Sequence, residues 1–290
     1  MGIRLNGNYY DDKDLTRDYP LRNSCIGYQS WVTESNVTAT AKAGFPASAL
    51  GTPFTYDLWK PSSFPATITV DFGATRTIDY VGLGAHKLAG CKVEVYARKL
   101  GAYTQIQEAV LLSDAAAMLL FDAVQTTGLQ LVITGWATEA SLVLDFADQQ
   151  YSVAEDTTDP SDAHLGVLFA GECLQMPRSQ YGGVTPTPFS KTTEILPSTS
   201  EGGQWLGRSV VRKGYAASHT WQHLDPQWMR TTFLPFIDHA TTGTGTFFLS
   251  WRPEGYADEV VYCWTDKDIN PSNMGVAGYM QVTLEVKGNG

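Results

Sequence analysis

His219-Thr-Trp-Gln-His223 places two imidazoles at i and i+4, the spacing by which a helix offers two ligands to one zinc ion. Thr220 stands where a helical metalloprotease has its general-base glutamate, and no third ligand lies nearby in sequence. The stretch reads as a strand, which would hold the two rings about 13 Å apart. No metal is expected there. Gly82-Leu-Gly84 begins like a dinucleotide fingerprint but lacks the third glycine and a following helix, so a turn after a strand is expected. Glu155-Asp-Thr-Thr-Asp-Pro-Ser-Asp162 carries four carboxylates without the alternation and central glycine of a calcium loop. With no nucleophile elbow, phosphate loop or paired-cysteine motif, the reading expects no catalytic residue, no cofactor and no enzyme.

The stretch Glu201-Gly-Gly-Gln-Trp-Leu-Gly-Arg-Ser-Val-Val-Arg212 is chemistry of another kind. Gly202 and Gly203 can take backbone angles closed to other residues, Trp205 offers a rigid anchor, and Arg208 and Arg212 are expected to alternate onto one face of the following strand. Those residue types suit a joint between subunits better than catalysis, which wants a nucleophile and a base within reach. The alternative is a tight turn with Trp205 in its own domain's core.

The elements that must position these residues are short strands. Ala66–Phe72, Thr77–Leu83, Cys91–Ala97, Leu129–Ile133, Ser141–Phe146 and the last strand, Met280–Lys287, alternate apolar and polar residues between turn-forming segments, so the chain reads as all-β. One helix is expected after Asp225-Pro226, with Trp228, Met229, Phe233, Phe236, Ile237 and Ala240 on its apolar face and a kink at Pro235. At 290 residues the chain exceeds the usual single-domain size. The acidic, proline-containing stretch suggests domains at 1–154 and 164–290 joined by a linker at 155–163.

Net charge is −10, with 11 basic and 15 acidic side chains in residues 1–154 and 9 and 15 in residues 155–290. Neither half is basic, so nucleic acid and anionic membrane surfaces are not expected partners. The first residues lack an apolar signal-type region and no run of 18 apolar residues follows, so neither a signal peptide nor a membrane span is expected. Cys25, Cys91, Cys173 and Cys263 are scattered and read as reduced, mostly core cysteines.

Two resemblances add to this. Phe45-Pro-Ala-Ser-Ala-Leu-Gly-Thr-Pro-Phe-Thr-Tyr56, Ile68–Leu83 and Val93-Glu-Val-Tyr96 resemble discoidin-like, galactose-binding jelly rolls. That resemblance implies ligand contact through loops at one end of a sandwich, and Tyr56, Trp59, His86 and Trp136 are the candidate saccharide-contacting residues. Gly166–Glu172, Glu201–Arg212, Phe247–Glu254 and Glu259–Trp264 resemble the tail-tip and distal tail proteins of long-tailed bacteriophages. That implies a distal-tail-like β-sandwich in a structural tail-tip or baseplate subunit. It would be made in host cytoplasm, assembled into the virion, and joined as a homo-oligomeric ring to other phage tail proteins. A saccharide-binding host-recognition module is the alternative, and a carbohydrate-active enzyme with an accessory jelly roll a third reading.

Overall fold

The computed structural model describes residues 18–135, 162–180, 182–275 and 278–288, with strand backbone also at 3–5, 8–10, 144–146 and 149–151. Its strands build two main antiparallel sheets. The first runs β11 (Leu165–Gly171), β5 (Ala66–His86), β8 (Ala117–Thr134), β6 (Lys92–Lys99), β7 (Ala102–Leu111), with β4 (Val37–Ala39) also on β5. The second runs β12 (Leu174–Gln175), β3 (Cys25–Gly27), β15 (Phe247–Ser250), β16 (Val260–Trp264), β18 (Met280–Gly288), β14 (Trp205–Leu224), β13 (Lys191–Thr199), with β17 (Ser272–Asn273) on β18. Two small hairpins, β1 (Ile3–Leu5) with β2 (Asn8–Tyr10) and β9 (Leu144–Phe146) with β10 (Gln149–Tyr151), pair outside these sheets. The all-β expectation holds.

The division between sheets does not follow the chain. β3 lies in the second sheet and β11 in the first, although the expected linker separates each from its partners; residues 155–161 of that linker lie outside the described residues. β11 is buried along its whole length, so it must be covered on both faces, and β5 supplies its paired edge. The run Gly166–Glu172, quoted above for its likeness to tail proteins, is thus largely a strand of the first sheet. Alternation also suggested two strands at 66–72 and 77–83. They are one strand, β5, whose register against β8 slips between Asp71 and Arg76, with Gly73 at φ +69° in the slip.

Three apolar clusters hold this arrangement. Ile68, Val81, Leu119 and Leu131 belong to the core of the first sheet, with strands from both sides of the β5 slip contributing. Trp221, Phe233, Phe236, Phe247 and Leu284 fill the second, between sheet and helix. Tyr80, Met118, Val167 and Phe169 of the first sheet meet Phe248, Val260 and Tyr262 of the second in a third cluster, the seam between them. At this seam lie the glycines expected to form a turn. A Cβ on Gly82 would sit 2.6 Å from the Phe248 ring and one on Gly84 3.2 Å from it, so both are strand positions kept bare for close packing.

The helical segment starts as expected. The Asp225 carboxylate accepts from the Gln227 backbone N–H at 2.7 Å, with Pro226 in the first turn. The disturbance at Pro235 takes the form of a π turn at Met229–Phe233, before a helix at Leu234–Thr241. The widened turn fits a proline whose ring excludes the carbonyl behind it. Cys25, Cys91 and Cys263 are buried, Cys173 is half-buried, and none of the four is in a disulfide; burial pushes the Cys91 thiol up to about 11.

Candidate functional site

Of the four aromatic and imidazole residues expected at the sugar-contacting loops, the described structure leaves Tyr56 at the surface. Tyr56 is 74 % exposed and stacks on the half-exposed Phe54 with ring centroids 5.2 Å apart and planes 18° from parallel. The pair stands beside a cleft of about 300 Å³ lined by Glu34, Phe45, Ser48, Thr52, Tyr56 and Asp57, among others. Thr52 donates to the Asp57 carboxylate at 3.3 Å, and the Lys60 ammonium lies 4.6 Å from the Phe45 ring centre. An open aromatic face beside hydroxyl and carboxylate acceptors can stack on one side of a small polar ring and bind its hydroxyls from another.

The other three residues are not part of that surface. Trp59 is fully buried: its backbone exchanges two hydrogen bonds with Leu165, and its indole N–H donates to the Thr40 carbonyl at 3.1 Å. Pairing with β11 draws this ring into the core. His86 is partly buried at the end of β5 with both ring nitrogens covered, and burial depresses its pKa to about 4. Neither of its ring nitrogens makes a hydrogen bond of ordinary geometry among the described residues. Trp136 lies outside the described residues. Phe54 was missed by the sequence reading, although Phe54-Thr-Tyr56 in a loop rich in Gly, Pro and Thr already hinted at paired rings.

The second candidate, residues 201–212, is the tip and one strand of a projecting ribbon. β13 pairs with β14 from Lys191 to Thr199, and β14 joins β18 from Tyr215 onward, so among the described residues Trp205–Gly214 has a sheet neighbour on one side alone. Across 191–213 nearly every residue is exposed, including Leu196, Trp205, Leu206, Val210 and Val211. Trp205 in its own core is thereby excluded, since 62 % of its surface is open. Gly203 sits at φ +78° in the turn and its N–H donates to the Ser200 carbonyl, which favours glycine there; Gly202 has open space around its Cβ position and no such need.

One expectation about the ribbon needs correcting. Arg208 lies opposite Pro197 and Arg212 opposite Glu194, because the register slips between Glu194 and Ile195. Residues 194 and 197 face opposite sides of a strand, so the two arginines do too. Arg212 instead pairs with Glu194 at 3.2 Å, while Trp205, Arg208 and Val210 share a face with Ile195 and Pro197.

The two histidines of the opening motif are also separated in role. His219 is buried; its Nε2 lies 3.1 Å from the Tyr215 hydroxyl and its Nδ1 3.1 Å from Gln180 Oε1, and burial depresses its pKa to about 4. His223 is exposed at φ +57°, where β14 slips against β18. No group of three or more His, Cys, Asp or Glu side chains poised to hold a metal occurs among the described residues, and no helix there is long and apolar enough to cross a membrane.

No protein-family model matches the sequence, and neither does any curated protein. Solved structures similar over about half the chain include chitosan-binding module 1 of a chitosanase/glucanase from Paenibacillus sp. IK-5. It is 16 % identical with a TM-score of 0.37, over 49 % of this chain and 98 % of that one. Another is the family 32 CBM from Clostridium perfringens NanJ in complex with galactose, 14 % identical with a TM-score of 0.34, over 51 % and 98 %. SpGH29 is 14 % identical with a TM-score of 0.36, over 50 % of this chain and 28 % of its own.

Proposed function

We propose that the first sheet carries a saccharide-binding site at the Phe54–Tyr56 loop. The observation that supports it is the stacked, exposed aromatic pair beside a cleft holding Glu34, Thr52 and Asp57. Trp59, Trp221, Phe233 and Phe247 are fully enclosed, whereas Phe54 and Tyr56 stand open to solvent, and an exposed parallel pair suits a partner that is flat and partly apolar. A pyranose ring has that shape, and the carboxylates can accept from its hydroxyls. A glycan array tests the reading: binding above a heat-denatured control, lost in Tyr56→Ala, supports it, and no signal sinks it. Release of new reducing ends in the same samples would instead point to an enzyme, and its loss in both Glu34→Gln and Asp57→Asn would make those two the acid–base pair.

A second reading rests on a separate observation, the projecting ribbon with its exposed Trp205, Leu206 and Val210. An isolated two-stranded ribbon is marginal in water, and one bearing apolar side chains on both faces gains most by lying against another chain. In this reading the protein is a structural subunit of the tail tip or baseplate of a long-tailed phage, carried in the virion, in which copies meet head to tail and close into a ring. The two readings are compatible, since the cleft and the ribbon belong to different sheets. Negative-stain microscopy and mass photometry over a concentration series separate them: closed rings support assembly, and monomers at every concentration leave the saccharide site alone.

A further inference from the structure

A cavity of about 630 Å³ opens at one end of the second sheet, where the segment before β3, the segment after β12, the slip in β14 and the start of β18 converge. Its lining includes Arg22, Arg178, Gln222, His223 and Tyr279, and no carboxylate among the described residues. That is unusual in a chain of net charge −10. No hydrogen bond or ion pair engages the side-chain polar ends of those five residues among the described residues.

The floor beneath them is built and fixed. Asn23, 4 % exposed, donates to the Met176 carbonyl at 3.0 Å and accepts from Ser179 at 2.8 Å. Gln180 donates to Ser24 at 2.9 Å and faces His219 through its carbonyl, and Ser24 donates to the Trp251 carbonyl at 2.9 Å. This chain ties β3, the segment after β12, and β14 into one rigid base. His223 is held on the rim at φ +57°, an angle that costs a non-glycine residue, with its ring 6.1 Å from that of Tyr279.

A fixed polar floor under unengaged guanidinium, carboxamide, imidazole and phenol groups is the arrangement of a site for a small, hydroxylated anion. We infer that this cavity binds a sugar acid, a pyranose bearing a carboxylate. The planar carboxylate matches a guanidinium fork of Arg22 or Arg178, Gln222 and Tyr279 can meet ring hydroxyls, and the volume admits one or two sugar rings. The site is distinct from the Phe54–Tyr56 cleft, which holds two carboxylates and would repel such a ligand.

Calorimetric or saturation-transfer titration of the full chain with glucuronate, a short uronate oligomer, glucose and inorganic phosphate tests this. Saturable glucuronate binding, weakened at least tenfold in both Arg22→Gln and Arg178→Gln and unchanged in Tyr56→Ala, is expected. Both arginines are exposed, and unchanged thermal melts would show that the variants fold. An oligomer that binds tighter than the monomer identifies a glycan chain as the source of the sugar acid, and equal affinity a free sugar; either upholds the inference. Absent binding, glucose or phosphate binding as tight as glucuronate in the Tyr56→Ala protein, or arginine variants that bind normally would each overturn it. Because Tyr56→Ala is carried in parallel, failure here leaves the loop-cleft reading standing, and failure there leaves this one standing.

Discussion

The seam between the sheets and the ribbon beyond them use similar residues to opposite ends. At the seam, Phe248 packs edge-on to Phe169 at 5.4 Å and tilts on Tyr262 at 4.9 Å, all three rings buried, against glycines that let β15 approach β5. On the ribbon, Trp205, Leu206 and Val210 occupy equally regular strand positions and face solvent. Strand formation is therefore not what buries a residue. A second layer is, and among the described residues the ribbon has none.

The sharpest way to break this contrast is at the seam. Phe248→Ala should cost about 3–5 kcal/mol in denaturant unfolding, by loss of apolar contact and the cavity left behind. A cost below about 1 kcal/mol would mean that the two sheets do not depend on each other there.

Acid should act on both sheets through one histidine in each. His86 and His219 have folded pKa values of about 4 against an ordinary value of 6.5, both lowered by burial. Between these values the unfolded chain binds protons that the folded chain refuses, so stability is full above about pH 6.5 and falls as pH drops toward 4. The buried His219 contributes up to about 3 kcal/mol across that window, at about 1.4 kcal/mol per pH unit, and the partly buried His86 less. Unfolding midpoints at pH 7, 5.5 and 4.5 should decline steadily, and His219→Asn should flatten the slope. An unchanged slope would remove His219 from the account.

Ribbon and loop variants should be nearly silent in stability. Trp205→Ala is expected to change unfolding by less than about 0.5 kcal/mol, because the indole is largely solvated, yet to abolish any concentration-dependent assembly seen by mass photometry. Assembly that survives in Trp205→Ala would refute the joint. Smallest of all, Tyr56→Ala should leave the melt unchanged and remove glycan binding, which a structural role for that ring would not do.

Much of the fold was legible from local pattern. Period-two alternation marked Met280–Lys287 and Cys91–Ala97 because one face of each strand is buried and the other is not, and Asp225-Pro226 marked the helix start because capping is local chemistry. The slips at Asp71–Arg76 and Glu194–Ile195 were not legible, since a bulge is a relation between two strands. The first joined two expected strands into one, and the second sent Arg212 to the wrong side of the ribbon. Trp59 and Tyr56 lie three residues apart in one loop, and nothing in their types says that pairing with β11 buries the former and leaves the latter open.

By itself the sequence determined that this chain is built of strands with one capped helical segment, and which residues could cap, turn and alternate. Those are properties of neighbours along the chain, set by backbone sterics and local hydrogen bonding. Only the tertiary structure decided that β3 and β11 cross the expected division, that Gly82 and Gly84 are bare to admit Phe248, and that Arg22 and Arg178 line one cavity from segments about 150 residues apart. Burial and convergence depend on which distant surfaces meet, and that is settled when the sheets pack.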